Sequence, residues 1–145
     1  MTVDTSGGFR YRFRKTGEHR AGVGPTIQSL AVASSETLTK GDLVNLESGE
    51  IDLAATGDAA LLGMVLNTKD GTASTTEYEV IIDADAVYAV YDPNARSIGD
   101  TLDISGTTGE MTVAASTNAD LTVYANSGAD QETLVYITHG EHAFN

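Results

Sequence analysis

Most of the chain is a succession of short β-type segments, each ended by glycine, aspartate, asparagine, serine or proline. Short runs of β-branched, aromatic and aliphatic residues at this spacing are typical of small barrels and sandwiches. The sequence therefore predicts an all-β domain of short antiparallel strands. After an alternating segment at residues 9–14, strands are expected at Ile27–Ala33, Asp42–Glu47, Ile51–Ala54, Leu61–Asn67, Glu77–Asp83, Ala86–Tyr91, Thr101–Ile104, Met111–Ala114, Leu121–Ala125 and Thr133–Thr138.

An internal similarity links two parts of this pattern. The run from Gly41 to Leu46 resembles the run from Gly99 to Ile104, at an offset of 58 residues. Two further matches have an offset of 60: Gly49-Glu50-Ile51 with Gly109-Glu110-Met111, and Leu61 with Leu121. The change of offset predicts that the second hairpin turn is two residues longer than the first. Hairpin turns tolerate insertion, so we expect two related hairpin units packed together.

Residues 9–14 alternate strictly between aromatic residues and arginine. In an extended conformation, Phe9, Tyr11 and Phe13 share one face while Arg10, Arg12 and Arg14 share the other. Glycines precede this segment, and a glycine-punctuated polar stretch follows it to residue 25. We therefore predict an extended arm at residues 1–25 and an all-β domain at residues 26–145.

Charge is distributed unevenly along the chain. The net charge is −13, yet residues 1–20 hold five of the eight basic side chains. An acidic body repels phosphate, which argues against nucleic acid or an anionic membrane as a partner. Docking on an acidic protein surface is favoured over the alternative in which the arm grips single-stranded nucleic acid. The residues predicted to dock are Phe9, Arg10, Tyr11, Arg12, Phe13, Arg14, Lys15 and Arg20.

Residue patterns that carry chemistry are few. The chain has no cysteine, hence no disulfide, thiolate nucleophile or usual zinc site. It also lacks a nucleophile elbow and a phosphate-binding loop, so we expect a protein that is not an enzyme and holds no cofactor or metal. It contains no apolar run of membrane-spanning length and no visible secretory signal, which predicts a soluble protein made in a cytoplasm.

Three groups of residues have a possible binding role beside an ordinary structural one. His139 and His142 could bind a divalent metal, but a solvated C-terminal tail is favoured. Aspartates 83, 85 and 92 could bind calcium, but solvated strand ends and turns are favoured. The six tyrosines could stack against sugars, but most lie inside strand segments, where packing is the commoner role.

A family resemblance covers residues 39–90. It is carried by Lys40-Gly41-Asp42-Leu43-Val44, by Gly49-Glu50-Ile51, by the run from Asp58 to Leu66, and by the polar loop Thr72–Thr76 before the strand Glu77–Asp83. These features resemble the head-decoration proteins of lambdoid and related tailed phages, and a wider group of capsid-cement proteins with a β-tulip-like fold. The longer C-terminal half, residues 96–145, departs from the lambda-type pattern.

The resemblance implies a structural virion protein. Such a protein forms a homotrimer on the outer surface of an expanded capsid and bridges neighbouring subunits of the major capsid protein. Its N-terminal segment would be ordered against that capsid protein. The alternative from another class is a fibre or adhesin module that binds host glycans, and a third is a small hydrolase or lyase on a β-barrel.

Overall fold

The computed structural model describes residues 7–15, 24–33, 36–67, 76–126 and 131–144. These residues form eleven strands and no helix, which confirms the all-β prediction. The strands are β1 Phe9–Arg14, β2 Ile27–Ala31, β3 Leu43–Glu47, β4 Glu50–Leu53, β5 Leu61–Met64, β6 Glu77–Ile81, β7 Ala86–Tyr91, β8 Thr101–Ser105, β9 Thr112–Ala115, β10 Leu121–Asn126 and β11 Glu132–Ile137.

Three antiparallel sheets contain these strands. A six-stranded sheet has the order β1-β7-β11-β10-β8-β9, a three-stranded sheet has the order β4-β3-β5, and β2 pairs with β6. Single bridges, Val65 with Val80 and Val32 with Ile51, join the two smaller sheets. Since β1 and β9 remain the edges of the large sheet and the small sheets meet only at single bridges, the strands do not form a closed barrel.

The strand pairings show an internal repeat of five strands. In the first unit, β2 to β6, strand β3 pairs with β4 and β5, and β2 pairs with β6. In the second unit, β7 to β11, strand β8 pairs with β9 and β10, and β7 pairs with β11. The predicted pair of related hairpins is confirmed, and the repeat extends to the strands on either side of each hairpin.

The entry to each hairpin has the same backbone geometry. Gly41 and Gly99 both have positive φ, +95° and +91°, a conformation that glycine adopts without strain. The amide of Gly41 donates to the carbonyl of Val65, and that of Gly99 donates to Val123, both at 2.9 Å. The first and third strands of the two units therefore correspond at an offset of 58 residues, so the predicted match of Leu61 with Leu121 is wrong.

The turns of the two hairpins differ more than the sequence predicted. The first turn is Ser48-Gly49, because Glu47 pairs with Glu50. The second turn spans residues 106–111, because Ser105 pairs with Thr112. It is therefore four residues longer rather than two. The extra length places Met111 in the core, where its sulfur accepts a hydrogen bond from the amide of Leu43 at 3.1 Å.

Buried side chains form two clusters that follow the units. One cluster lies within the first unit and contains Val32, Leu38, Val44, Ile51, Leu62, Val65, Tyr78 and Val80. The other contains the core of the second unit together with Phe9 and five residues of the first unit: Leu43, Ala54, Leu61, Met64 and Ile81. The two units therefore share apolar core, whose burial supplies most of the favourable free energy of folding.

Two buried carboxylates connect the units through the backbone. Asp42 of the first unit accepts hydrogen bonds from the amide of Gly109, at 2.8 Å, and from the hydroxyl of Thr108. Asp120 of the second unit accepts from the amides of Gly57 and Ile104, at 3.1 and 3.0 Å. Both aspartates are fully buried, so these bonds replace the water that a carboxylate would otherwise require.

Gly63 marks the closest approach between β5 and its neighbours. A Cβ atom at this position would lie 1.7 Å from the carbonyl oxygen of Ile81 and 2.9 Å from the hydroxyl of Tyr88. Backbone cannot move aside as the end of a flexible side chain can. Any residue larger than glycine would therefore separate β5 from β6.

We expect Gly63→Ala to lower the free energy of unfolding by about 3 kcal/mol or more, because overpacking against backbone forces the strands apart. Urea denaturation followed by circular dichroism measures the change. Gly24→Ala is the matched control, because nothing lies within 4 Å of its added methyl group. Equal midpoints for the two variants would contradict the packing described at Gly63.

Candidate interaction site at the first strand

Strand β1 is part of the domain's own sheet. It pairs antiparallel with β7, with Phe9 opposite Val90, Arg10 opposite Ala89 and Tyr11 opposite Tyr88. This corrects the predicted arm at residues 9–14, because strand pairing and burial hold them within the fold. Residues 1–6 and 16–23 of the predicted arm lie outside the described residues.

The aromatic residues of β1 pack against tyrosines of the sheet. Phe9 is only 2% exposed, and its ring meets that of Tyr88 edge-on at 6.5 Å. Tyr11 contacts the same ring at 6.4 Å. A bulge between Tyr11 and Phe13 interrupts the alternation, and Phe13 packs against Tyr124 at 5.3 Å. These rings stabilise the domain, so Phe9 is not a surface contact while β1 stays folded.

The start of β1 is held between the two units. The amide of Gly8 donates to the carbonyl of Met111 in the second unit, and that of Phe9 donates to Gly41 in the first, both at 2.8 Å. Gly7 lies so close to Glu110 that a Cβ atom would be 2.4 Å from its Cα. Gly7 is therefore needed for close approach and Gly8 for its positive φ of +97°, so the diglycine serves the folded junction rather than the freedom of an arm.

The basic residues of β1 pair with acidic residues of the same chain. Arg10 and Arg12 both contact Glu132, at 3.1 and 3.0 Å. Arg14 donates from Nε to Asp85 at 2.9 Å and lies 3.6 Å from Asp83.

The hydrogen bond to Asp85 raises the pKa of Arg14 above its usual value. Lys15 sits 3.4 Å above the ring of Tyr136, and burial lowers the pKa of its ammonium group. Arg20, the last predicted docking residue, lies outside the described residues. The described cations at the candidate site thus tie β1 to its own domain. Partly exposed pairs of this kind contribute about 1 kcal/mol or less each.

The aspartates considered for calcium have other partners. Asp83 accepts from the amide of Thr26 at 2.6 Å and faces Arg14, which also binds Asp85. Asp83 is buried, which corrects the expected solvated strand end. Asp92 is also buried rather than solvated, which corrects the expected solvated turn. Burial alone would raise its pKa, but hydrogen bonds from Arg96 and Asn94 lower the pKa below its usual value. Among the described residues, no three acidic or histidine side chains are placed to hold a metal ion.

The C-terminal segment also differs from the prediction made for it. His142 is 2% exposed, so the expected solvated tail is wrong at this residue. Its Nε2 is 2.8 Å from the carbonyl of Leu62, and Nδ1 accepts from the amide of Phe144 at 3.0 Å. The backbone of Leu61 bonds to Glu141 and to Ala143. The segment after β11 therefore docks beside β5, in the first unit.

Tyr78 and Tyr88 are fully buried, which confirms the packing role expected for tyrosines inside strands. The hydroxyl of Tyr78 accepts from the amide of Leu38 at 3.2 Å. Burial, with a smaller contribution from Asp83, raises the pKa of Tyr88, so its hydroxyl stays protonated. Neither ring can stack against a sugar at the surface.

An acidic cavity lies at the tip of the first hairpin. Its volume is about 210 Å³, and it is lined by Ala33, Glu47, Ser48, Glu50 and Asp52. One oxygen of Asp52, Oδ1, is buried without a hydrogen-bond partner among the described residues. Burial, followed by the nearby carboxylates of Asp58, Glu36 and Glu47, raises the pKa of Asp52. Sequence reasoning missed this feature, because its carboxylates look like ordinary turn residues.

No family model matches this chain, and no curated protein matches it. The described residues include no helix long and apolar enough to cross a membrane. Any functional proposal therefore depends on the geometry and on the resemblance at residues 39–90.

We expect Phe9→Ala to cost about 3–5 kcal/mol in the free energy of unfolding, since it leaves a cavity between the two units. Phe144→Ala is the matched control, because that ring is 57% exposed, and we expect a change within about 0.5 kcal/mol. Urea denaturation measures both. If Phe9→Ala unfolded at the wild-type midpoint, residues 9–14 would be a separate arm after all.

Protonation of His142 should destabilise the fold, because imidazolium cannot accept from Phe144 and burial lowers the pKa of this histidine. Its stabilising contribution is complete above about pH 6.5, the pKa in an unfolded chain, and is lost as the pH falls toward the lower folded value. The loss is at most about 1.4 kcal/mol per pH unit.

Unfolding midpoints from pH 8 to pH 5 test this expectation when the wild type is compared with His142→Gln. The variant should lack that component of the pH dependence. The difference between the two midpoints at pH 8, where His142 is neutral, is the reference against which the change toward pH 5 is measured. Parallel curves for the wild type and His142→Gln would refute the role assigned to His142.

Proposed function

We propose that this chain is a non-enzymatic structural protein of a tailed-phage virion. It binds the outer surface of the expanded head as a homotrimer and stabilises the head by bridging neighbouring subunits of the major capsid protein. Two observations support the proposal: the resemblance at residues 39–90, and the pairing of charged side chains with other groups of the same chain.

The observation that carries the proposal is that charged and aromatic side chains at the candidate site tie strands of the chain to one another. Arg10, Arg12 and Arg14 form ion pairs within the domain, and Asp42 and Asp120 bond backbone amides across the two units. An interconnected β body of this kind suits mechanical load.

The residues of the resembling motif have a structural role consistent with the proposal. Gly41 provides the positive φ that starts β3, and its carbonyl accepts from Phe9. Asp42 accepts from residues 108–109, while Leu43 and Val44 belong to the two buried clusters. The motif therefore organises the junction between the units. The resemblance accordingly supports a fold in common with the capsid-cement proteins more directly than a docking surface in common with them.

Burial of β1 changes how docking would operate. A detached arm would have to be ordered on the capsid, at a cost of about 1–2 kcal/mol per residue for the backbone alone. With β1 already folded, the capsid would meet a preformed surface, and the ordering cost falls. Exposed charges of the described domain are mainly acidic, so a basic patch on the capsid protein is the complementary partner.

We expect the purified protein to bind expanded, DNA-free heads assembled from the major capsid protein that the same genome encodes. Binding should saturate at one trimer per threefold position and weaken as salt is raised, because exposed acidic groups contribute. Co-sedimentation measures the stoichiometry, and electron microscopy of the decorated heads locates the protein. Unexpanded shells provide the comparison.

Two outcomes would reject the proposal. One is a genome that encodes no major capsid protein, or heads that stay bare at a large excess of protein. The other is specific binding on a glycan array without binding to heads, which would favour the adhesin alternative. Sedimentation velocity of the isolated protein tests the trimer separately.

A further inference from the structure

Strand β2 has an open edge. It pairs with β6 from Ile27 opposite Ile81 to Ala31 opposite Glu77, without a bulge. On its other side, the bridge between Val32 and Ile51 and the bond from the amide of Ala33 to Ile51 join it to β4. Both contacts lie beyond the last residue of β2, so residues 27–29 have no strand on that side among the described residues.

The hydrogen bonds at the two ends of β2 determine in which direction the backbone groups of each of its residues point. Ile82 donates to the carbonyl of Thr26, and the amide of Val32 donates to Thr76. Backbone groups in an antiparallel ladder alternate between facing the partner and facing away. The backbone amide and carbonyl of Gln28 therefore face β6, whereas those of Ile27 and Ser29 point outward. All three side chains are exposed, and that of Ile27 is 47% exposed.

This edge lacks the usual protection against strand addition. Natural edge strands carry charges, proline or a bulge that discourage pairing with another chain. Strand β1 has three arginines and a bulge, whereas β2 contains neither a charge nor a bulge. An extended segment could therefore add to β2 by backbone hydrogen bonds alone, with side chains providing the selectivity.

The hairpin tip next to the edge specifies the charge of that segment. Since Ile51 lies beside Val32 in a parallel bridge and the tip residues line a cavity with Ala33, the tip at Ser48-Gly49 lies near the C-terminal end of β2, next to its open part. Glu47 and Glu50 stand directly opposite each other on this hairpin, and like charges in that position repel. No described cation forms an ion pair with either of them. A basic side chain at the end of an added strand would neutralise this pair.

We propose that the outer edge of β2, together with the Glu47–Glu50 hairpin tip, is a docking site for an extended basic segment of another protein. The segment adds as a strand beside Ile27 and Ser29 and directs a lysine or arginine to the hairpin tip. The inference does not depend on the capsid role, because it concerns recognition of a peptide by the isolated domain.

A labelled peptide with capped ends and seven residues that alternate threonine and arginine is a direct probe. Its binding to the full chain is followed by fluorescence anisotropy. A peptide with glutamate in place of arginine, and one with a central proline, test the requirements for charge and for strand pairing. We expect the arginine peptide to bind at least about tenfold more tightly than either one, since each lost hydrogen bond costs about 1 kcal/mol.

Two variants locate the site on the protein. Ser29→Pro removes an outward amide and leaves the ladder with β6 intact, because proline is tolerated where the amide faces solvent. Glu50→Gln removes one charge at the tip. We expect about tenfold weaker binding for Ser29→Pro and about threefold for Glu50→Gln, at wild-type unfolding midpoints. Glu110→Gln, an exposed acid in the other hairpin, is the control and should bind as the wild type does.

Binding of the arginine peptide that is unchanged by Ser29→Pro would overturn the proposal, because the peptide would then occupy another surface. Equal binding of the glutamate peptide would overturn the assigned charge. Absence of binding at about 1 mM peptide, the range of weak strand addition, would count against the site as a whole.

Discussion

The fold depends on hydrogen bonds that buried carboxylates accept from the backbone of the opposite unit. Asp42 and Asp120 are each removed from water, and each is satisfied partly by amides of the other repeat. A buried carboxylate without such donors would cost several kcal/mol. The relative position of the units is therefore fixed by groups that cannot relax independently, and the shared apolar cluster forms only in that arrangement.

The two ends of the described chain strengthen the same junction. Strand β1 joins the sheet of the second unit while its first amides bond both units. The segment around His142 follows β11 of the second unit but bonds the backbone of Leu61 in the first. Each end therefore crosses from one repeat to the other, and neither repeat keeps its full set of contacts if the ends are removed.

Much of the architecture could be predicted from sequence because short alternating segments and turn residues are local signals. The repeat was also visible, since Gly41 and Gly99 must both adopt positive φ and so remain recognisable. The partner of residues 9–14 could not be read in this way. An aromatic and arginine alternation suits a docking arm and an edge strand equally, and only the distant residues Tyr88 and Glu132 distinguish the two.

The same limit applies to burial and to the candidate sites. His142 looks like a solvent-facing residue in the sequence, because the Leu62 carbonyl beside its ring is far away along the chain. Asp92 looks the same because its partners Asn94 and Arg96 are those of an ordinary turn, and only the assembled fold buries it. Likewise, the open edge of β2 is invisible in a segment that reads as an ordinary strand. Whether a strand edge is covered depends on pairing with β4, which is a property of the assembled fold.

The crossing of the chain ends has a consequence for synthesis. The earliest described strand cannot find its place until residue 90 has left the ribosome, and the slot beside Leu61 stays unfilled until residue 143 emerges. Contacts so far apart in sequence form slowly and expose strand edges meanwhile. The nascent chain therefore keeps incomplete sheet edges until residues 141–143 emerge, and until then those edges are exposed to chaperones and to premature association.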